Sequence, residues 1–327
     1  MISLNKFFKK YTGVLRSIKP LYVINNFLNR RQLLHNKELY KKYGLQRSIY
    51  SSIGSHNFEQ KSQDIPWLDQ ENAKEKLLQH PDFQKLDKET QKQLIQFEEK
   101  GYMILRGFFT KEEIATANAE IDKLLHEKKT DFNYTGKKIM EAYKDSQFLD
   151  QVFFRNPQLL HLMAFAMGKK ILPFHTINFI EGSEQRAHSD SIHMTTEPQG
   201  YLIAAWIALE KTFDGNGPLF YYPGSHRLPY IMCPDYDSGN TDLLLGEYTH
   251  TQYEEKIAEI VQTNTFPKEY FYAEPGDVLI WHANLLHGGE GIKKAGATRK
   301  SMVAHYFCEG VICYHEMSQR PAMIPKA

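Results

Sequence analysis

The tripeptide His188-Ser189-Asp190, answered much later in the chain by His287 and then Arg299, holds the side chains best suited to chemistry. In extended backbone, successive side chains alternate sides, so His188 and Asp190 project together while Ser189 projects away. Two imidazoles and one carboxylate form the facial set that binds non-haem ferrous iron and leaves coordination positions for a co-substrate and oxygen. Taken alone, H-x-D is common, and its plainer reading is a hydrogen-bonded surface pair.

The third donor has more support. Asn284-Leu-Leu-His287-Gly288-Gly289 reads as a strand end, and a turn over 291–297 leads to Arg299. A turn centred near Lys293 predicts that His287 and Arg299 oppose each other as an antiparallel pair. A guanidinium in that place suits 2-oxoglutarate, which chelates iron at one end and presents a second carboxylate to a bidentate partner.

The remaining histidines read more plainly. His193 reads as a solvated or capping residue, and His226, in Pro-Gly-Ser-His, as a turn residue bonded to backbone. His282 lies five residues before His287 and points to the opposite face of a regular strand. His305 and His315 read as core or surface. Tyr221, Tyr222, Tyr270, Tyr272 and Trp281 sit in strands, where alternation makes half of each run core and not a nucleic-acid platform. His161, Met163 and Met167 fall on a short apolar helix and read as packing or surface residues, with no haem attachment motif beside them.

The elements that must position these groups fall into two blocks. From Pro66 the pattern is helical: Trp67, Leu68, Ala73, Leu77 and Leu78, then Leu86, Leu94, Ile95 and Phe97, recur at helical spacing. Thr110 with Glu113 is a capping box, and Asn156-Pro157 opens another helix that ends near Gly168. Strands are predicted over 101–107, 171–181, 200–209, 217–222, 269–273, 277–282 and 298–308. Many short strands with long excursions predict a mainly β chain with flanking helices and a jelly-roll core over about 171–308, not alternating βαβ units. The domain reading is a basic extension over 1–65 and one catalytic domain over 66–327. The excursion 228–267, with a helix near Gln252–Gln262, is the candidate for substrate choice.

Composition is that of a globular chain: 327 residues, 42% hydrophobic, 13% aromatic and 24% charged. The net charge of +1 conceals eleven Lys or Arg against the single acid Glu38 in residues 1–50, which leaves the rest at −9. An acidic body disfavours nucleic-acid binding. Cys233, Cys308 and Cys313 form no CxxC and leave an odd count, so a reducing cytoplasmic setting is expected. No stretch has the roughly 20 apolar residues of a spanning helix, and no export signal is read. Residues 1–65 carry two readings. One is weak membrane-surface contact through Phe7, Phe8, Val14, Leu15, Ile18, Leu21 and Ile24 beside the lysines; the preferred one is a mobile or self-docked extension.

The ordered series His188-Ser-Asp190, Leu202-Ile-Ala-Ala-Trp206-Ile-Ala-Leu-Glu210, Asn216-Gly217-Pro-Leu, Pro223-Gly-Ser-His226, Pro275-Gly-Asp277, His287-Gly288 and Arg299 resembles the phytanoyl-CoA dioxygenase family, from about Gly101 to Phe307. The resemblance implies a double-stranded β-helix, Fe(II), 2-oxoglutarate and O2, and a small-molecule or lipid-like substrate. It implies His188, Asp190 and His287 as iron ligands and Arg299 as the grip on the distal carboxylate. It further implies Trp206 and Gly289 bordering the co-substrate, Ile177 lining the pocket, and Lys138 matching an upstream lysine. Ser189 stands where members often carry Gln, and Gly289 where some carry serine, which removes a possible hydroxyl contact. Asp190 stands where halogenating relatives have a small residue, so hydroxylation is expected. The alternatives are a catalytically silent jelly-roll binding or regulatory protein of the same family, and a cupin using another metal.

Overall fold

Leu202–Ala208 is apolar at every position because both of its faces are buried. In this computed structural model, which describes residues 17–58, 62–133 and 135–324, Ile203, Ala205 and Ile207 join one apolar cluster, while Ala204, Trp206 and Ala208 join a second. A two-residue period therefore serves two cores at once.

The described residues form three sheets. Strands β1 (Tyr102–Leu105), β2 (Ile139–Met140), β3 (Ile171–Phe179), β5 (Leu202–Ala208), β8 (Val278–His282) and β10 (Ser301–Cys308) make the largest, in the order β1-β8-β5-β10-β3-β2. Strands β6 (Leu219–Tyr221), β7 (Glu269–Phe271) and β9 (His287–Gly289) form a second sheet, β7-β6-β9. The third joins β4 (Thr195–Glu197), β11 (Ile312–His315) and β12 (Arg320–Pro321) as β12-β11-β4. Among the described residues, the pairings between these strands are antiparallel. This is the expected jelly-roll core: β1, β3, β5, β6, β7, β8 and β10 each lie within their predicted bounds, while β2, β4, β11 and β12 fall outside the predicted strands. The core between the large sheet and β7-β6-β9 includes Phe179, Trp206, Leu219, Phe271, Leu279, Trp281 and Val303.

The described residues include eight helices. They are α1 (Lys19–Leu28), α2 (Asn36–Lys42), α3 (Ala73–Gln79), α4 (Pro81–Lys85), α5 (Lys88–Lys100), α6 (Lys111–His126), α7 (Pro157–Met167) and α8 (Thr249–Asn264). Of these, α3 to α7 cover the other face of the large sheet, and α5 to α7 supply Leu94, Phe97, Ile114, Ile121, Leu159 and Met163 to the larger core. Local signals set their ends. Asp87 accepts from Thr90 N at 3.0 Å, Thr110 and Glu113 close the capping box, and Asn156 accepts from Gln158 N and Leu159 N ahead of Pro157. Gly101, at φ 82°, ends α5 and starts β1, and a Cβ there would stand 2.5 Å from the His226 ring.

In the N-terminal stretch, Leu33, Tyr40, Leu45, Ile49, Ile53 and Phe58 pack against Ile312 and Tyr314 of β11. Ser55 donates from N and Oγ to buried Glu316 at 2.8 and 2.7 Å. Ile18 bridges Leu244 in the excursion before α8. Phe7, Phe8, Val14 and Leu15 lie outside the described residues. Among the described residues, no helix is long and apolar enough to cross a membrane.

Candidate metal centre

Ser189 is extended at φ −100°, ψ 151°, and a short 3-10 turn begins at Asp190. His188 and Asp190 consequently project to one side, and Ser189 turns to the Tyr253 hydroxyl of α8, which accepts from its N–H at 2.9 Å. His287 opens β9 and bridges His188 in antiparallel fashion, N to O at 2.9 Å in both directions. One imidazole Nε2 or Nδ1 from each histidine and an oxygen of Asp190 all lie within 4.8 Å of one another, and all three residues are buried.

The donors are in the protonation states a metal needs. His188 Nδ1 faces the Arg186 carbonyl at 2.8 Å, and His287 Nδ1 faces the Leu285 carbonyl at 3.0 Å. A carbonyl can only accept, so each Nδ1 carries the proton and each Nε2 keeps its lone pair. Burial pushes both imidazoles below their ordinary pKa, and the rings are neutral near pH 7. Burial alone would raise Asp190, but the groups facing it, His305 foremost, outweigh it and hold the carboxyl well below the usual range. Trp281 Nε1 donates to Asp190 Oδ2 at 2.7 Å, and His305 Nε2 lies 3.5 Å from the same oxygen. Asp190 Oδ1 faces His287 Nε2 at 3.7 Å.

A cavity of about 150 Å³ opens on these groups and is also lined by Lys138, Ile177, Trp206 and Arg299. Arg299 is 1% exposed, and its Nε and Nη1 find no hydrogen-bond partner among the described residues. Its guanidinium lies 5.4 Å over the Trp206 ring. Burial pushes its pKa down to about 10, opposed by Glu210, and it stays cationic at neutral pH. A buried, unsatisfied fork facing a cavity fits a carboxylate, and the N2O donor set fits ferrous iron. Lys138 lies one residue ahead of β2, and burial, opposed by the Asp190 charge, pushes its pKa below the ordinary lysine value.

Four features depart from the expectations. His287 and Arg299 do not form an antiparallel pair: β9 pairs with β6, while Arg299 leads into β10 in the other sheet, so the two meet across the sandwich. Val303 and His305 follow Arg299 at two-residue spacing and also line the cavity, a phase visible in the sequence that would have flagged His305. Gly289 does not line the inner cavity. Gly288 does, and Gly289 borders an outer cleft of about 410 Å³ with Arg186, Glu254 and Lys268. A Cβ on Gly289 would stand 2.5 Å from Ser183 Oγ, so Ser183, which lines the inner cavity, brings a hydroxyl to the space a serine at 289 would claim. His193 is half-buried in the cavity wall, with its ring 5.5 Å from that of His188. Burial, with Lys138 and His250 nearby, pushes its pKa down to about 3.

His226 and His282 lie outside this set: His226 Nε2 reaches the Glu98 carbonyl at 3.2 Å, and His282 Nε2 reaches Asp69 at 3.0 Å.

A family model described as phytanoyl-CoA dioxygenase matches residues 97–301. Human peroxisomal phytanoyl-CoA dioxygenase is 24% identical over 236 residues, 64% of this chain and 66% of that protein, just under two thirds of its length. Ectoine dioxygenase from Sphingopyxis alaskensis is 25% identical over 223 residues, covering 61% of this chain and 70% of that protein. Among solved structures, EctD from S. alaskensis with 2-oxoglutarate and 5-hydroxyectoine aligns with TM-score 0.55 at 20% identity, over 72% of this chain and 83% of that one. The α-ketoglutarate-dependent carbocyclase SnoK aligns at 0.57 and 14%, over 75% and 95%. These structural likenesses show the shared fold.

Proposed function

We propose that this chain, which belongs to the phytanoyl-CoA dioxygenase family, is an Fe(II)- and 2-oxoglutarate-dependent dioxygenase that hydroxylates an unactivated carbon of a small-molecule or lipid-like substrate. One observation carries the reading: three buried donors within 4.8 Å of one another share a cavity with a buried guanidinium whose Nε and Nη1 have no partner among the described residues. In this reading, residues 66–327 form the catalytic domain.

His188 Nε2, His287 Nε2 and Asp190 would hold the metal. When bound with 2-oxoglutarate and O2, ferrous iron supplies the oxidising power for C–H hydroxylation, with release of succinate and CO2. Arg299 would take the distal carboxylate of 2-oxoglutarate through its planar fork, with Trp206 beneath it fixing the plane. Lys138 would add a second positive charge on the same cavity. Ile177, Phe179, Leu219 and Val303 line the cavity with apolar surface and exclude water. The pKa of His193 keeps that ring neutral at physiological pH, so with Gln185 at 3.5 Å it offers polar but uncharged contacts to a substrate. An ionised Asp190 in the carboxylate position favours hydroxylation over halogenation.

The test is anaerobic titration with Fe(II) and 2-oxoglutarate, followed by oxygen exposure across a panel of acyl and small polar substrates. A weak visible charge-transfer band and substrate-dependent succinate release are expected. The band without turnover on any substrate would favour a binding or regulatory member of the family; no band would remove the proposal.

A further inference from the structure

Helix α1 is amphipathic in the reverse sense for a helix docked on a protein body. Its buried side is Lys19, Tyr22 and Asn26, held by polar contacts: Lys19 Nζ donates to Gln319 Oε1 at 2.5 Å and Asn26 Nδ2 to the Tyr50 carbonyl at 2.9 Å. Val23, Ile24, Phe27 and Leu28 fall at i, i+1, i+4 and i+5, a single stripe, and are 39, 52, 53 and 49% exposed. Main-chain bonds from Lys19 N to Leu243 O and from Leu245 N to Ser17 O bring a second apolar pair to the start of the helix. Leu243 and Leu244 there are 64 and 50% exposed. Had α1 only to cover the body, the pattern would be the opposite. A contiguous apolar stripe turned to solvent marks an interaction surface.

Charge identifies the partner. Arg30, Arg31, Lys37, Lys41, Lys42 and Arg47 are exposed, and they outnumber the acids of the same segments, Glu38, Asp242 and Glu247. The Arg30 guanidinium lies 5.4 Å over the Phe27 ring, which sets a cation at the rim of the stripe. A second copy of this chain would bring the same cations against themselves. An apolar stripe with a guanidinium at its rim, in a segment whose exposed charge is mostly basic, matches an anionic lipid surface, where the side chains enter the acyl boundary and the cations meet the headgroups.

We propose that the exposed face of α1, with the Leu243–Leu244 turn, docks this protein on an anionic membrane surface. This surface lies outside the metal centre, and its test does not depend on turnover.

Because Cys233, Cys308 and Cys313 are all buried, Ile24→Cys in the full-length chain supplies one accessible thiol for an environment-sensitive dye. With vesicles of phosphatidylcholine plus phosphatidylserine, the dye is expected to shift to the blue and the protein to co-sediment. Phosphatidylcholine alone or high salt should prevent both. Phe27→Ser/Leu28→Ser and Arg30→Glu/Arg31→Glu are each expected to weaken partitioning at least about tenfold at an unchanged thermal midpoint. Four results overturn the proposal. They are no shift with anionic vesicles, equal binding by the Phe27→Ser/Leu28→Ser variant, a dye already dry in the free protein at every concentration, and drying that follows protein concentration without lipid. The third result would mean the chain's own residues cover the face, and the fourth a second copy.

Discussion

His188 and His287 exchange both of their main-chain hydrogen bonds, each N–H donating to the other's carbonyl at 2.9 Å. Their ring centroids stand 4.5 Å apart, and each Nδ1 is tied to a carbonyl two residues earlier in its own segment. Backbone pairing thus sets the spacing of the two rings, and local backbone sets their tautomer. Alanine at either histidine or at Asp190 is expected to lower Fe(II) or Co(II) affinity beyond the roughly 10–100-fold typical of losing an outer-shell partner. Substrate-dependent succinate formation should vanish with it. Calorimetric titration with Co(II) checks the first effect, and a variant binding metal like the parent takes that residue out of the set.

Arg299 is costly in the free protein because its buried Nε and Nη1 have no partner among the described residues. Arg299→Met is expected to raise the thermal midpoint of the metal-loaded protein without 2-oxoglutarate. In the parent, 2-oxoglutarate at a hundred times its Kd should add about 2.7 kcal/mol, and the variant should lose most of this. Arg299→Lys, keeping charge but not the fork, should raise the KM for 2-oxoglutarate at least about tenfold. Scanning calorimetry in both states decides: an undiminished 2-oxoglutarate effect in Arg299→Met places the distal carboxylate elsewhere.

Trp281 both donates to Asp190 Oδ2 at 2.7 Å and packs on the His287 ring at 4.5 Å. Phenylalanine keeps the ring contact and removes the N–H. Trp281→Phe should therefore weaken metal binding by about 10–100-fold while lowering stability by only about 1–2 kcal/mol. Metal quenching of the parent's tryptophan emission should shrink in the variant. Unchanged metal affinity would show that the carboxylate is oriented without this bond.

Burial, with Glu316 adding to it for Cys233, pushes the thiols of Cys233 and Cys308 up to about 12, from an ordinary 9.0. Folded, they keep their protons where the unfolded chain has lost them, so their contribution is complete below the unfolded pKa. It is lost as pH rises from there toward the folded value. The denaturant midpoint is expected to fall above about pH 9, less steeply in a Cys233→Ala/Cys308→Ala variant. Thiol reagents should label the native protein only as fast as it opens; rapid stoichiometric labelling at pH 8 would contradict the burial argument.

The capping box at Thr110 and Glu113, the helix start at Asn156-Pro157, and the strands around Trp206, Trp281 and Val303 were legible because each signal lies within a few residues. The projection of His188 and Asp190 to one side needed only the two-residue period of extended backbone. The N-terminal helices were not legible, since α1 turns its apolar stripe outward and its buried side is polar, so periodicity there does not report burial.

Read alone, the amino-acid sequence determined the donor types, the local geometry of His188 and Asp190, and the alternation that lets β5 serve two cores. Tertiary structure alone decided that His287 pairs with His188 and β6 while Arg299 arrives from the opposite sheet. It also decided that Trp281 and His305 converge on Asp190, and that Ser183 fills the space beside Gly289. The reason is physical: alternation and capping arise from the steric and hydrogen-bonding needs of neighbouring residues. Which of several similar apolar strands become partners depends on burying whole sheet faces together, a property no short stretch of chain encodes.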